Sequence, residues 1–368
     1  MRVLIRALGI VVLCCVLAGC TGLPATSGSE GRTGASTKTV ARDSTVTSGL
    51  SREEVQRRLA LPQFAYVAET DRQTKGQTRI GTGKLAVIDS ETDKVVERSA
   101  FGKALSDVAV TPDGRHLYVT DSDEPVVHMV DAETKREIRR IDLPGVKPGT
   151  TGFDAKTKYT YEQMEGCSSA VRCTPDGRSV LVLSKAGLQV IDTASGTVTR
   201  TIPELLGGES LAVSFDGKRA YAGVSDWRTR EARTILGWAD LAEKGEGGYL
   251  ALVDLETWTV TKQRSTGLCG GIAVRPDDTQ VFYSDIKEQS MHAVDSATLE
   301  DIAVAQLKGE KATSFTPSGV GVLPDGSKAY VVCAWVTSVG AASADNFFCA
   351  VVKTDTWKVV KRIPLQAY

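Results

Sequence analysis

ALSDVAVTPDGRHLYVTDSDEPVVHMVDAETKREIRRIDLPG, residues Ala104 to Gly145, decides how this chain reads. Within it DVAV, HLYVT, VVHMVD and REIRRID are short, β-branched, alternating runs, separated by turn chemistry at Pro112-Asp113-Gly114, Ser122-Asp123-Glu124-Pro125 and Ala132-Glu133-Thr134. Period-two alternation punctuated in this way predicts four antiparallel strands, a to d. A four-stranded unit of about 40 residues that recurs along a chain is a propeller blade, because it buries its faces only by stacking on its neighbours.

Variants of the unit run from Leu61 to the C-terminus. The second strand recurs around Tyr66, Tyr118, Leu181, Tyr221, Phe282-Tyr283 and Tyr330. The turn before it recurs as Pro112-Asp113-Gly114, Pro175-Asp176-Gly177, Phe215-Asp216-Gly217, Pro276-Asp277-Asp278 and Pro324-Asp325-Gly326. Proline presets φ there, and glycine supplies the left-handed position of a tight hairpin. The third strand ends at Asp89, Asp131, Asp192, Asp254 and Asp295, with Lys353 in the sixth place. Each of these aspartates is expected to cap its turn by accepting N–H groups two or three residues ahead. The expected fold is therefore an all-β β-propeller of four-stranded antiparallel blades over residues 56–368. Six second strands pair with six third strands, so six blades are expected, with seven as the alternative if residues 40–60 contribute a weakly patterned blade.

The segments TPDGRHLYVTD and those of the form VxVVDxxT resemble the YVTN-type β-propeller repeat family over about 300 residues. Seven blades are common in that family. Propellers similar to it include lactonases and the heavy chains of quinone-dependent amine dehydrogenases, so the resemblance carries an alternative function: an enzyme or redox subunit with its site at the channel mouth.

Arg2 and Arg6, the apolar run Ala7–Val16 and then Leu17-Ala18-Gly19-Cys20 predict a signal peptide over residues 1–19. It resembles the bacterial lipoprotein signal, in which the cysteine, here Cys20, is lipidated and becomes the first residue. The apolar run is short of the roughly 20 residues needed to span a bilayer. Residues 20–55 form the expected tether, rich in Ser, Thr and Gly and too poor in apolar residues to offset their ordering entropy. About 30 such residues behave as a coil with an end-to-end distance of roughly 30 Å. Ser51-Arg52-Glu53-Glu54 has the pattern of a capping box at the start of a short helix. The expected location is the cell envelope, outside the cytoplasmic membrane and anchored to it through Cys20. Loss of Arg2 and Arg6 takes 44 basic residues to 42 against 45 acidic ones, a formal charge near −3. A chain so balanced lacks the electrostatic footprint that nucleic acid demands.

In a meandering blade the a–b and c–d turns lie on one face of the disc, and the b–c and d–a loops on the other. The tight turns fall on the first face. The insertions fall on the second: 71–83, 146–166, 227–248, 308–317 and 335–347. Insertions on a rigid scaffold are where binding surfaces are usually built, so this face is the expected site for a protein or small-ligand partner. Ile235, Leu236, Trp238, Ala239 and Leu241 have helical spacing. With Trp227 they either cover the channel mouth, meet a partner or pack on the disc. Phe153, Tyr159 and Tyr161 either stack on a ligand or pin their loop.

The start of each inner strand is expected at the channel mouth: Ser106 and Asp107, Ser169 and Ala170, Glu209 and Ser210, Gly270 and Gly271, Ser318 and Gly319. Ser106, Asp107, Ser169, Glu209 and Ser210 are the candidate binding residues. Asp107 and Glu209 suit a hard cation such as calcium, but two carboxylates do not fill its roughly six to eight positions. The expectation is therefore no metal and no other cofactor. His128 and His292 occupy equivalent third-strand positions that repetition alone explains, and His116 lies by a turn. No nucleophile elbow, phosphate loop, HExxH or CxxC is present, and no catalytic residue is assigned. Of the five cysteines beyond Cys20, Cys333 and Cys349 are expected to face each other across a hairpin as a disulfide, worth about 3 kcal/mol for a loop of about 15 residues. Cys173 aligns with core valines, and whether Cys167 and Cys269 pair is left open.

Overall fold

The structure, a computed structural model, describes residues 64–365 apart from 76–77, 90–91, 93, 147–150, 155–158, 163–167, 206–207, 226–247, 309–314 and 336–346. The expected signal peptide, Cys20, the tether and the capping box lie outside the described residues.

The first blade contains β1 (Phe64–Lys75), β2 (Thr78–Asp89) and β3 (Lys94–Ala100). The second contains β4 (Leu105–Val110), β5 (His116–Asp121), β6 (Val126–Asp131) and β7 (Glu137–Asp142). A small hairpin follows, β8 (Thr151–Asp154) and β9 (Tyr159–Glu162). The third blade is β10 (Ser168–Cys173), β11 (Ser179–Ser184), β12 (Gly187–Asp192) and β13 (Thr197–Ile202). The fourth is β14 (Gly208–Val213), β15 (Arg219–Ser225), β16 (Gly248–Asp254) and β17 (Thr259–Thr266). The fifth is β18 (Cys269–Val274), β19 (Gln280–Asp285), β20 (Ser290–Asp295) and β21 (Asp301–Gln306). The sixth is β22 (Phe315–Val322), β23 (Lys328–Trp335), β24 (Phe347–Lys353) and β25 (Lys358–Leu365).

Every blade is an antiparallel meander in chain order, and the inner strands β4, β10, β14, β18 and β22 pack one on the next. The fold is a six-bladed β-propeller. In the first blade the described strands correspond to the second, third and fourth of the others.

Burial follows the stacking. The first three strands of a blade are largely buried, while outer strands such as β3 and β7 are mostly exposed. The second-strand aromatic reaches into the following blade. Tyr118 packs with Val171, Val180 and Ile191, and Tyr221 with Ile272, Val281 and Leu299. The Tyr221 hydroxyl donates to the Ser296 carbonyl at 2.7 Å, which satisfies the one polar atom of a wholly buried ring. Burying such a side chain stabilises by about 1.5–3 kcal/mol, so each aromatic acts as a peg between blades.

The turn aspartates are scaffold, as expected. In the a–b turn Thr111 Oγ1 donates to Asp113 Oδ1 at 2.5 Å and Asp113 accepts the Arg115 N–H at 3.0 Å; Thr174, Asp176 and Arg178 repeat this geometry. In the c–d turn Asp131 accepts the Thr134 N–H at 2.6 Å, and Asp254 and Asp295 accept the equivalent groups of Thr257 and Thr298. Four residues after the third-strand end the chain turns left-handed in the second, fourth and fifth blades, with φ near 59° at Lys135, Trp258 and Leu299.

The expected disulfide is overturned. Cys333 and Cys349 are both free thiols. Cys333 pairs with Phe348, and Cys349 with Val332. That one-residue offset sends the two side chains to opposite faces of the sheet, because neighbours along a strand alternate.

Candidate functional site

A meander of this kind places the connections β1–β2, β5–β6, β11–β12, β15–β16, β19–β20 and β23–β24 on the same face as the links between blades. In the first blade the insertion is a continuation of the sheet. β1 and β2 stay paired as far as Lys75 and Thr78, so a two-stranded ribbon carries the b–c connection. Between the second and third blades β8 and β9 form a hairpin in which Tyr159 pairs with Asp154 and Tyr161 with Gly152. Trp227 and Trp238, with the apolar run between them, lie outside the described residues.

The channel-mouth candidates share a backbone cause. Each inner strand slips register once against its neighbour, between Leu105 and Asp107, Ser168 and Ala170, Gly208 and Ser210, Cys269 and Ile272, and Pro317 and Gly319. The extra residues are Ser106, Ser169, Glu209, Gly270-Gly271 and Ser318. A bulge re-aims its side chain, and here several of them point to the next blade. Ser106 Oγ reaches Thr120 Oγ1 at 2.8 Å and the Ser168 carbonyl at 3.1 Å. Ser169 Oγ donates to the Gly208 carbonyl at 2.7 Å, and Ser210 Oγ lies 3.6 Å from Cys269 Sγ.

Asp107 is 3% exposed and already engaged. Its carboxylate accepts its neighbour Val108's N–H at 2.9 Å, the Val171 N–H at 3.0 Å and Arg172 Nη1 at 2.6 Å. These contacts tie the second blade to the third. The residues expected at the channel mouth are thus largely staples between blades.

Titratable side chains converge instead one strand further out, at the end of β5 and the start of β6. Ligand atoms of Asp121, Glu124 and His128 lie within 4.8 Å of one another, the one such group of three or more acidic, His or Cys side chains among the described residues. His128 is wholly buried, and its Nδ1 lies 2.6 Å from Glu137 Oε1. Its Nε2 makes no hydrogen bond and faces Asp121 Oδ2 across 3.5 Å. Asp121 ends β5 and is held rigidly, accepting N–H groups from Lys103 at 2.7 Å, Asp123 at 2.8 Å and Glu124 at 3.1 Å. Glu124, at the rim, also pairs with Arg140 at 2.7 Å and Lys103 at 3.2 Å. Burial, the largest influence on His128, pulls its pKa down, but Asp121 and Glu137 more than offset this and the net shift is upward. The two carboxylates thus favour positive charge between them. A signal for this group does exist in the sequence: D-x-x-E-x-x-x-H occurs at Asp121-Glu124-His128 and again at Asp285-Glu288-His292.

The buried thiols are inert. Burial pushes Cys173, Cys269 and Cys333 up to about 12, so they stay protonated at neutral pH. Cys173 packs beside the core of the second and third blades, as its alignment implied. Cys167 lies outside the described residues, so its pairing with Cys269 does too.

No protein-family model matches the chain, and no curated protein does. Among solved structures it is similar to Kuenenia stuttgartiensis hydrazine synthase, at 17% identity and a TM-score of 0.52, over 77% of this chain and 90% of that one. The likeness is one of fold.

Proposed function

We propose that this protein is an exported, lipid-anchored β-propeller of YVTN-like repeats that binds a protein partner or small ligand through its insertion-bearing face. The observation that carries the reading is the asymmetry of the disc. One face is built from short turns locked by aspartates, such as Val110–His116 and Asp131–Glu137. The other carries the paired ribbon of β1 and β2, the β8–β9 hairpin and the longest links in the chain, Ser225 to Gly248 and Trp335 to Phe347. Rigid scaffolds place variable recognition segments in this way. The lipid anchor at Cys20 and the Ser/Thr/Gly-rich tether would hold that face clear of the membrane. Crosslinking and mass spectrometry on intact cells test the reading. Crosslinks should concentrate in residues 71–83, 146–166, 227–248, 308–317 and 335–347, and a concentration on the tight-turn face would overturn it. Cys20→Ala should move the protein out of the membrane fraction, and retention there would defeat the anchoring.

A further inference from the structure

We propose that the second blade holds one divalent first-row transition-metal ion, ligated by His128 Nε2 and the carboxylates of Asp121 and Glu124, with Glu137 orienting the imidazole. The site stands apart from the choice of partner, although it opens on the same face.

A carboxylate at 2.6 Å from Nδ1 orients the ring and leaves Nε2 as the atom turned toward Asp121. This carboxylate–histidine pairing is the usual support of a metal-bound imidazole. Nε2 makes no hydrogen bond and faces a second carboxylate, Asp121, with both side chains wholly buried. Nitrogen and carboxylate so placed call for positive charge between them, from a ring proton or from a bound cation. At 3.5 Å the gap exceeds the roughly 2.7–2.9 Å of a charge-assisted hydrogen bond. It does match a shared ion, because two ligands each about 2.1 Å from a metal at a tetrahedral angle lie about 3.4 Å apart.

Two further observations separate this site from an ordinary ion pair. Gly102, at a φ of 65°, adjoins the gap: a Cβ there would lie 2.6 Å from Asp121 Oδ2 and 2.8 Å from His128 Nε2, so no side chain can stand at that position. The fifth blade supplies the control. There the same motif closes on itself, with His292 Nε2 at 3.0 Å from Glu288 and 2.9 Å from Ser290 Oγ. Asp301, which pairs in register with Val294 as Glu137 does with Val130, is instead engaged by Arg264 through two contacts of 2.7 Å. Only the second blade brings its motif together around an open Nε2. Imidazole with carboxylates suits ions such as Zn(II), Mn(II) or Co(II) rather than soft or purely oxygen-seeking ones.

The test uses the untagged full chain stripped of metal, titrated with Zn(II) by calorimetry and with Co(II) by visible absorption. One ion per chain is expected. His128→Gln and Glu124→Gln should each weaken it by about 10-fold or more and alter the Co(II) bands, and Glu137→Gln by about 10–100-fold. His292→Gln should bind as the parent does. Glu124 lies at the rim, so Glu124→Gln decides the matter if His128→Gln fails to fold by circular dichroism. Absence of stoichiometric binding at millimolar metal, or affinity unchanged in Glu124→Gln, would overturn the site.

Discussion

The Asp278 carboxylate in the fifth blade accepts the backbone N–H of Phe215 in the fourth at 2.7 Å, and that of Asp216 at the same distance. Both named residues depart from the repeat. Phe215 stands where the other a–b turns have proline, which has no N–H to give, and Asp278 stands where most have glycine. The two departures therefore form one contact between blades. Asp278→Gly suits the local φ of 57°, so it isolates the hydrogen bonds and should lower stability by about 1–2 kcal/mol. Phe215→Pro removes one donor and should cost less. The double variant should lose less than the sum in urea unfolding, and strict additivity would show that the two are not coupled.

Asp107 makes a different prediction. Asp107→Ala leaves the buried Val171 N–H without its carboxylate and Arg172 without its charge partner, and should cost about 2–4 kcal/mol. Asp107→Asn, which can still accept one bond, should cost less. Calcium should leave the melting temperature of the parent unchanged; a rise that disappears in Asp107→Asn would make this carboxylate a ligand after all.

Backbone N–H groups hold five turn aspartates below their ordinary pKa: Thr134 for Asp131, Ser195 for Asp192, Thr257 for Asp254, Thr298 for Asp295 and Ser327 for Asp325. A depressed folded-state pKa means that the unfolded chain binds more protons through that window. The stabilisation is thus complete above the unfolded carboxylate value of about 3.9 and is lost as pH falls through the lower folded values. Thermal melts should be flat in this respect above that value and fall below it. Asp131→Asn combined with Asp295→Asn should make the acid limb shallower.

Cys173, Cys269 and Cys333 should resist iodoacetamide in the native protein and react once it is unfolded in guanidinium, read by peptide mass. Peptides carrying Cys333 and Cys349 should show no link to each other before reduction. A linked pair would mean that the last hairpin shifts register.

The six-blade count, the strand order and the turn aspartates were legible because each is a local signal repeated several times, in which period-two alternation and turn residues agree. Pairing at single-residue precision was not. Cys333 and Cys349 lie near each other along their hairpin, but face is decided by register, which the sequence leaves free by one. Ser106, Ser169 and Ser210 were correctly placed in inner strands. Their bonding was hidden because a bulge has no spacing signature of its own. His128 and His292 align in the repeat yet have different surroundings, because alignment equates backbone positions and not environments. The difference lies in Glu137, nine residues away on the next strand.

Gly270 and Gly271 mark where the ring has no slack. At Ser106, Asp107 and Ser169 a side chain bridges to the next blade, but here a Cβ on either glycine would strike the backbone of Pro317 or Ser318. A methyl group at this seam would act as a shim. In an open stack of sheets such a wedge would displace only what lies beyond it; in a closed hoop the other joints must absorb it, and the bore of the disc changes shape. The contact between the fifth and sixth blades is therefore one that tolerates no side chain at all.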